Sequence, residues 1–515
     1  MTINIGHFLT KRALLSPQLE AIVEPSVGGR RQTFRQLNAR CNQVANALRA
    51  AGVSSGERVG LLLMNGLEFI ESFYAVAKIG AVNVPLNWRL VADELEFILK
   101  DSGTMALIYS EEFAAIAAEL QSRGTKTDIR FWVQLGGQPA AFATSYDAWR
   151  EGAPTTEPEL AGFEDDLLFI MYTSGTTGLP KGVMHSHNSV MWSILTVVAT
   201  ADVRFGDRYL LSLPMFHVGA LNPIMGNLYL GVTSVVLKSF DPRQSWELIR
   251  DEKITCTLMV PAMLQFMLAT YDKATHDHST LRWCISGAAP VPVTLIETYV
   301  AMGIEVLQVY GLTESCGPGC LIVGEDAVKR AGSTGRAFFH TDMRVVDGNG
   351  RECPAGENGE VLLRGRHMMV GYWNRLDATA QTMRDGWLHT GDVGSLDAEG
   401  FLTIRDRMKD MLISGGENVY PAEVENVLLA HPGISDAAVI GLPSPKWGEV
   451  PLAVVVKKDA DLSEAGLLEW CKGKLAPFKR PKVAVFIEAI PRNPTGKILK
   501  RVLRDNYEHN LRAPE

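Results

Sequence analysis

Residues 167–187 read LLFIMYTSGTTGLPKGVMHSH. A short apolar run leads into a stretch of Ser, Gly and Thr, and Lys181 follows a proline just beyond it. Glycines let consecutive backbone amides turn toward an anion, and small hydroxyls and one cation add further donors. The spacing differs from the G-x-x-x-x-G-K-[ST] nucleotide loop, since Gly182 stands where that motif has Ser or Thr. The stretch therefore predicts a site for an anion with several oxygens, and a flexible linker is the alternative.

Apolar runs of similar length recur through the first 330 residues. Runs such as ALIYS, TSVVLKSF, ITCTLMVP and LRWCISGAA lead into polar or Gly-rich turns, and they alternate with helical patterns such as FRQLNARCNQVANALRAAGV. This alternation predicts an α/β protein with parallel sheets covered by helices. In such sheets ligands bind beyond the carboxyl ends of strands, which is where the opening loop lies.

The pattern changes past Gly332. Turns become dense, which predicts short antiparallel strands and hairpins. From about Pro421 the pattern is helix, two strands, helix and strand, which predicts a small α+β domain. We therefore predict a large N-terminal domain over residues 1–408 and a C-terminal domain over residues 409–515.

Composition excludes several classes of protein. The net charge of −8 lacks the basic footprint of a nucleic-acid-binding protein. Seven scattered cysteines argue against a disulfide framework and for a reducing compartment, which predicts a cytoplasmic protein. Cys316 and Cys320 have no second Cys/His pair near them in sequence, so a closed zinc site is not predicted. No run approaches the ~20 apolar residues of a membrane span, which leaves peripheral membrane contact open.

A second motif, QVYGLTESCG at residues 308–317, combines groups that suit a nucleotide. Tyr310 offers a flat face for a base, Thr313 is a donor for a phosphate oxygen, and Glu314 could hold Mg²⁺. The alternative is a strand end followed by a capped helix, because Thr before an acidic residue is common at helix starts.

Three further motifs follow along the chain. In HTGDVG, Asp392 could accept both hydroxyls of a ribose, or it could close a hairpin turn. In DRMKD, Arg407 could bind ribose or phosphate oxygens, or it could be a charged strand end. In PRNPTGKILKR, two prolines and a Thr-Gly turn present Lys497, which is otherwise an ordinary exposed lysine.

Together and in this order, the five stretches resemble the adenylate-forming superfamily of acyl-CoA synthetases, aryl-CoA ligases, firefly-type luciferases and peptide-synthetase adenylation domains. The resemblance covers essentially the whole chain and is strongest to bacterial fatty-acyl-CoA synthetases. It implies a large N-terminal domain of two α/β subdomains plus a β-barrel, and a small mobile C-terminal domain. It also implies ATP, Mg²⁺ and coenzyme A as ligands.

The resemblance further implies a role for each matching position. The implied ATP- and AMP-binding residues are Thr173, Ser174, Gly175, Thr176, Thr177, Gly178, Lys181, Gly287, Ala288, Ala289, Gln308, Val309, Tyr310, Gly311, Thr313, Asp392, Arg407 and Lys497. The implied catalytic residues are Lys497, Glu314, Thr173 and His217, with Glu314 as the metal ligand. Lys409 is the implied hinge, and Ser414, Gly415 and Gly416 are the implied coenzyme A contacts. The implied acid pocket contains His217, Gly219, Ala220, Gly287 and Gly317.

The acid pocket indicates the kind of substrate. Residues 209–237 contain no Asp, Glu, Lys or Arg, which disfavours an amino acid because its buried ammonium would be unpaired. Small residues such as Gly219 and Ala220 favour a slot for a medium- to long-chain fatty acid, unless they only permit tight turns. Some aryl-activating relatives have a second lysine where this chain has Ser414-Gly415, which weakens an aryl substrate. An aryl- or hydroxycinnamoyl-CoA ligase and a non-catalytic nucleotide-binding protein remain as alternatives, and a homodimer remains open.

Overall fold

The computed structural model describes residues 3–25, 28–173, 180–289, 291–323, 326–408, 410–414, 417–444, 447–472, 474–492, 498–507 and 511. Helices and strands alternate through most of this part of the chain, as the sequence predicts.

The strands of the described residues are β1 Glu20–Glu24, β2 Arg30–Thr33, β3 Arg58–Leu62, β4 Val82–Pro85, β5 Thr104–Ser110, β6 Phe131–Leu135, β7 Thr144–Ser145, β8 Leu167–Thr173, β9 Lys181–Ser186, β10 Arg208–Leu211, β11 Thr233–Val236, β12 Cys256–Met259, β13 Trp283–Ser286, β14 Glu305–Tyr310, β15 Cys320–Leu321, β16 Arg336–Ala337, β17 Asp342–Val346, β18 Gly359–Arg364, β19 Gly371–Tyr372, β20 Met383–Arg384, β21 Trp387–Leu396, β22 Leu402–Arg407, β23 Leu412–Ser414, β24 Glu417–Val419, β25 Ile434–Ser444, β26 Gly448–Lys457 and β27 Val483–Phe486.

The α-helices are α1 Ile5–Leu15, α2 Phe34–Ala50, α3 Leu67–Lys78, α4 Ala92–Ser102, α5 Ala114–Ser122, α6 Tyr146–Glu151, α7 His187–Thr200, α8 Val218–Leu230, α9 Pro242–Asp251, α10 Pro261–Thr270, α11 Val293–Ala301, α12 Asp326–Lys329, α13 Leu376–Thr382, α14 Pro421–Leu429, α15 Glu464–Trp470 and α16 Lys500–Tyr507. Short 3₁₀ turns lie at Glu111–Phe113, Gly124–Lys126 and Thr313–Ser315.

Two large sheets form the first part of the molecule. One has the order β19-β9-β8-β4-β3-β5-β6-β7 and is parallel from β8 to β7. The other has the order β16-β15-β14-β13-β12-β10-β11-β1-β2 and is parallel from β14 to β1. The prediction of parallel sheets with helices is confirmed, and antiparallel strands are added only at sheet edges.

The main core lies between these sheets. Helix α3 is buried along its whole length, since most of its residues are apolar and its charged residues are paired, as in the ion pairs of Glu71 with Arg40 and Lys78 with Glu157. It shares one apolar cluster with strands of both sheets, including Val59, Leu168, Tyr209 and Val236. The two sheets therefore form one packed body.

The described residues at the two ends of the opening stretch form paired strands. Strands β8 and β9 are antiparallel, with Thr173 opposite Lys181, and α7 begins only at His187. The sequence predicts the strand before the loop and the helix after it, but not β9. Its residues KGVMHS are only half apolar, and their extended form depends on pairing with β8 on one side and β19 on the other.

Two smaller sheets complete the molecule. Where the resemblance implies a β-barrel, β17, β18, β21 and β20 form an antiparallel sheet, with β22 paired to β21. In the last part of the chain, β24-β23-β26-β25 form an antiparallel sheet with β27 parallel to β26, and they share a separate core with α14 and α15. This order of elements is the predicted one, and the α/β fold class is confirmed. Lys409, at the predicted boundary, lies outside the described residues.

No helix in the described ranges is long and apolar enough to span a bilayer.

Candidate active site

Tyr372 on β19 links two of the predicted site residues. Its hydroxyl donates a hydrogen bond to Oε1 of Glu314 over 2.8 Å. The Nζ atom of Lys181, the first residue of β9, lies 5.0 Å from the centroid of the same ring. A cation so placed is attracted to the ring face. The structure thus brings a lysine and a carboxylate 133 sequence positions apart to one tyrosine.

Asp392 is the centre of a second group. It lies on β21 directly opposite Arg407 on β22, whose Nε is 2.9 Å from Oδ1. The hydroxyl of Tyr310 donates to Oδ2 over 2.7 Å. Burial and the nearby carboxylate raise the pKa of Tyr310 far above its ordinary value, and Asp392 raises the pKa of Arg407 although burial opposes it. Each carboxylate oxygen receives one of these donors and retains lone pairs for another, such as a ribose hydroxyl.

The Thr313–Ser315 turn is held from several sides. His185 Nε2 lies 2.8 Å from the carbonyl oxygen of Thr313, and His367 Nδ1 lies 2.9 Å from that of Ser315. Between them, the backbone N–H of Met369 donates to the carbonyl of Glu314 over 2.8 Å. Burial lowers the pKa of both histidines to about 4, so both rings are neutral near pH 7.

Two of the implied nucleotide-binding segments, residues 287–289 and 308–310, are in contact. A Cβ atom on Gly287 would lie 2.4 Å from the carbonyl oxygen of Val309, and one on Gly311 would lie 1.5 Å from that of Gly317. Only glycine permits such close approach of two backbones. The loop of Gly287, Ala288 and Ala289 therefore packs against the carboxyl end of β14, where Gln308, Val309 and Tyr310 lie.

The predicted acid segment has a different character. His217 precedes α8, and its Nε2 atom is buried without a hydrogen-bond partner among the described residues. Burial, helped by Arg89, lowers the pKa of His217 to about 3. A Cβ on Gly219 would meet only Leu213 Cδ1, at 3.5 Å, so space exists beside it. Ala220 instead packs in the main core with 1% of its surface exposed.

Further buried polar atoms lie near the ends of the nine-stranded sheet. Ser212 Oγ, Ser286 Oγ and Gln308 Nε2 have no partner within the described part of the chain. Ser286 and Gln308 are register neighbours on β13 and β14, so their side chains point to the same face. Buried polar atoms are costly unless something bonds to them, which marks this edge as a place for a polar ligand. Sequence reasoning missed both serines, although each closes an apolar run.

Asp101 is a second residue that sequence reasoning missed. It lies in the last turn of α4 and accepts a hydrogen bond from Tyr172 over 2.7 Å and one from Arg375 over 2.8 Å. Its carbonyl accepts from Trp373 Nε1 over 2.8 Å. Asp101 therefore ties the end of β8 to the segment that follows Tyr372. No local pattern indicates this role, because its partners are 71 to 274 positions away.

The implied coenzyme A contacts and the opening loop are described only in part. Ser414 is buried at the end of β23. The following predicted residues lie outside the described ranges: Ser174, Gly175, Thr176, Thr177, Gly178, Lys409, Gly415, Gly416 and Lys497.

Glu314 suits a magnesium ion that is held jointly by the protein and by substrate phosphates, rather than one enclosed by protein ligands alone. Within the described ranges, no three His, Cys, Asp or Glu side chains come together as a metal centre. Mg²⁺ is usually held by one or two carboxylates together with substrate phosphates. One oxygen of Glu314 bonds to Tyr372, and the other, which has no hydrogen-bond partner among the described residues, could bind a cation.

Comparison with known proteins agrees with this site. Residues 9–373 match the model of the AMP-binding enzyme family, and residues 423–497 match that of the AMP-binding enzyme C-terminal domain. A long-chain-fatty-acid–CoA ligase of Mycobacterium tuberculosis is 47% identical over 98% of both chains. A feruloyl-CoA synthase of Amycolatopsis is 39% identical over 98% of this chain and 99% of its own.

A solved structure extends the likeness to three dimensions. A fatty acyl CoA synthetase of M. tuberculosis superposes with a TM-score of 0.80 at 45% identity, covering 98% of both chains. The predicted resemblance is thereby confirmed, and the chain belongs to the AMP-binding, adenylate-forming enzyme family.

Proposed function

We propose that this protein is an AMP-forming acyl-CoA ligase that activates a medium- to long-chain fatty acid. The observation that supports this most is that four charged residues from separate stretches form one group. Lys181 and Glu314 both contact Tyr372, and Asp392 bonds to Tyr310 and Arg407. Glu314 lies near enough to Arg407 to help raise the pKa of that guanidinium. The group supplies cations and a metal ligand for phosphates, and a carboxylate for ribose hydroxyls. Each is a need of bound ATP.

The first half-reaction joins the acid to AMP. A fatty acid is ionised at pH 7, because a free carboxyl titrates near ~4.3, so no general base is required. One carboxylate oxygen attacks the α-phosphorus of ATP, the bond to the β-phosphate oxygen breaks, and pyrophosphate leaves. Mg²⁺, when bound, neutralises phosphate charge. Lys181 and Thr313 would add donors at the phosphates, and Asp392 with Arg407 would fix the ribose, so that catalysis is by positioning and electrostatics.

The second half-reaction transfers the acyl group to coenzyme A. The thiol loses its proton to water and its sulfur attacks the acyl carbon, and AMP leaves with the electron pair of the bond between the acyl carbon and the phosphate oxygen. We place Lys497 in the first half-reaction, between the attacking carboxylate and the α-phosphate. The C-terminal domain, from residue 409, would then rotate about Lys409 and bring Ser414, Gly415 and Gly416 to the coenzyme A thiol.

The acid pocket supports an aliphatic substrate. The space beside Gly219 and the charge-free segment around it suit an alkyl chain, and a relative named for long-chain fatty acids shares 47% identity. An aryl acid is the second candidate, because a relative named feruloyl-CoA synthase covers the same length at 39% identity. His217 would line either slot.

A pyrophosphate-release assay tests the proposal. Acids from C2 to C18, benzoate and coumarate would each be tested with ATP and Mg²⁺, with and without coenzyme A. We expect the highest kcat/KM among acids of C8 or longer, and acyl-CoA formation only when coenzyme A is present. A preference for coumarate would favour the aryl alternative. Absence of pyrophosphate release with every acid would refute the proposed activity.

A further inference from the structure

The Thr313–Ser315 turn has an unusual arrangement of hydrogen bonds. All three of its carbonyls accept an N–H group, two of them from buried histidine rings that are far away in sequence. We propose that His185 and His367 are positioning residues that hold this turn so that Glu314 points to a bound divalent cation. The inference rests on the proposed function, because it takes Glu314 as the metal ligand.

The first histidine lies on β9 and is fully buried. Its Nε2 atom is 2.8 Å from the carbonyl oxygen of Thr313, and its Nδ1 atom is 3.2 Å from Ser189 Oγ. A carbonyl oxygen can only accept, so the proton of the neutral ring of His185 is on Nε2. This strand also begins with Lys181, so one strand supplies both a cation and a support for the turn.

The second histidine donates to the turn through its other ring nitrogen, Nδ1. His367 Nδ1 lies 2.9 Å from the carbonyl oxygen of Ser315, and Nε2 lies 2.7 Å from Thr341 Oγ1. The proton is therefore on Nδ1, and Thr341 donates to Nε2. The two rings therefore donate to the carbonyls of Thr313 and Ser315, the residues on either side of Glu314.

The turn needs such support because it is short. A 3₁₀ segment of three residues has few internal hydrogen bonds; here the backbone N–H of Cys316 donates to Thr313 and Ser315 Oγ accepts from Leu312. The histidines fix the backbone, while Tyr372 separately fixes the carboxylate of Glu314. Because both the backbone and the carboxylate of Glu314 are fixed before the metal binds, little conformational entropy is lost on binding, and the affinity for the metal is higher.

Amide substitutions separate this role from simple filling of the core. Glutamine places its N–H₂ near the position of a histidine Nε2–H, and asparagine near that of Nδ1–H. The matched pairs are therefore His185→Gln with His185→Leu, and His367→Asn with His367→Leu. His187→Leu is the control, because this ring is fully buried at the start of α7 and accepts from the backbone N–H of Ile5 rather than donating to the turn.

The measurement is the affinity of the full-length enzyme for Mn²⁺ in the presence of a non-hydrolysable ATP analogue, with binding monitored by EPR. We expect both leucine variants to bind Mn²⁺ about three- to tenfold more weakly, the effect of one neutral hydrogen bond. The amide variants should stay within about twofold of the parent, by the same measure. His187→Leu should lower the Tm but leave Mn²⁺ affinity unchanged.

Two outcomes would overturn the inference. If leucine and amide variants bind Mn²⁺ equally, the histidines act only through packing, while the proposed function stands as long as pyrophosphate release continues. If the parent enzyme binds no Mn²⁺ with the analogue and releases no pyrophosphate, the proposed function and the inference fail together.

Discussion

The two halves of the candidate site are built in opposite ways. Around Asp392 and Glu314, each charged group bonds to a side chain from another strand, as in the pairs with Arg407 and Tyr372. Around His217 the buried polar atom has no partner among the described residues, and the neighbouring residue Gly219 leaves empty space. The nucleotide half is thus defined by charge and the acid half by volume. Substitutions of charge and of volume should therefore act on different halves of the reaction.

The largest effect is expected from the lysine proposed to act between the two halves. Lys497→Ala should slow formation of the acyl-adenylate from ATP by roughly 10²–10³, because one preorganised cation is lost at the α-phosphate. Conversion of supplied acyl-AMP to acyl-CoA should be spared. Rapid-quench assays of each half-reaction provide the measurement, with the exposed Lys458 of the same region changed to Ala as a control. Adenylate formation at the parental rate would remove Lys497 from the mechanism.

The next prediction tests the importance of volume in the acid half. Gly219→Leu should fill the space beside His217 and reduce kcat/KM for palmitate relative to butyrate. Exclusion of three methylenes corresponds to about 2.4 kcal/mol, or roughly fifty-fold. The ratio within one variant cancels partial loss of active protein. Ala220→Trp is a poorer probe than the sequence suggests, since Ala220 is packed in the core and overpacking would destabilise the fold.

A matched variant turns this test into a measure of length. Gly226 is seven residues further along α8, about 10 Å at 1.5 Å per residue and on the same face, and a Cβ there meets no atom within 4 Å. Gly226→Leu should affect only acids longer than those affected by Gly219→Leu. Equal effects of both variants on all chain lengths would show that α8 does not line the slot.

A change of charge at constant volume tests the nucleotide half. Asp392→Asn keeps the shape of the side chain but removes the charge that pairs with Arg407. Charge-assisted hydrogen bonds are about twice as strong as neutral ones, so kcat/KM for ATP should fall about tenfold while the preference among acids stays unchanged. Steady-state kinetics with ATP varied, at two acid chain lengths, gives both numbers. A shift in chain-length preference would contradict the division between the halves.

The sequence predicted the charged half better than its supports. Asp392 and Arg407 stand in recognisable motifs, and the structure places them as direct cross-strand neighbours. Tyr372, Asp101 and His185 have no comparable local signal, because their roles depend on partners 58 to 274 positions away. Apolar runs alternating with helical patterns predicted the parallel strands, whose residues are apolar on both faces.

Strand β9 shows why the remainder could not be predicted. Its polar residues acquire an extended conformation only through pairing with β8 and β19, and β19 is almost 190 residues later in the chain. Ala220 shows the same limit, because its small size suggests an open slot but does not reveal that it packs in the main core; its place in the acid pocket stays a prediction.

The smallest effect concerns the charge state of His217. Its pKa is lowered to about 3 by burial, whereas the unfolded chain has the ordinary value of 6.5. Between these values the unfolded state binds one more proton than the folded state, so stability rises with pH and is lost as pH falls below about 6.5. Protonation of His217 in the unfolded state lowers the free energy of unfolding by about 1.4 kcal/mol between pH 7.5 and pH 5.5. His217→Gln should therefore lose less stability than the parent between pH 7.5 and pH 5.5.

Urea unfolding at both pH values measures this difference, and His187→Gln is the comparison. Burial lowers the pKa of His187 to about 4, so its substitution should reduce the acid sensitivity by the same amount, although it lies in neither half of the site. His217 is neutral above pH 5.5. The pH profile of adenylate formation above this pH should therefore have the same shape in the parent and in His217→Gln, without an inflection that is present only in the parent. An inflection seen only in the parent would mean that His217 gains a proton when the acid is bound. The acid half would then be defined by charge as well as by volume.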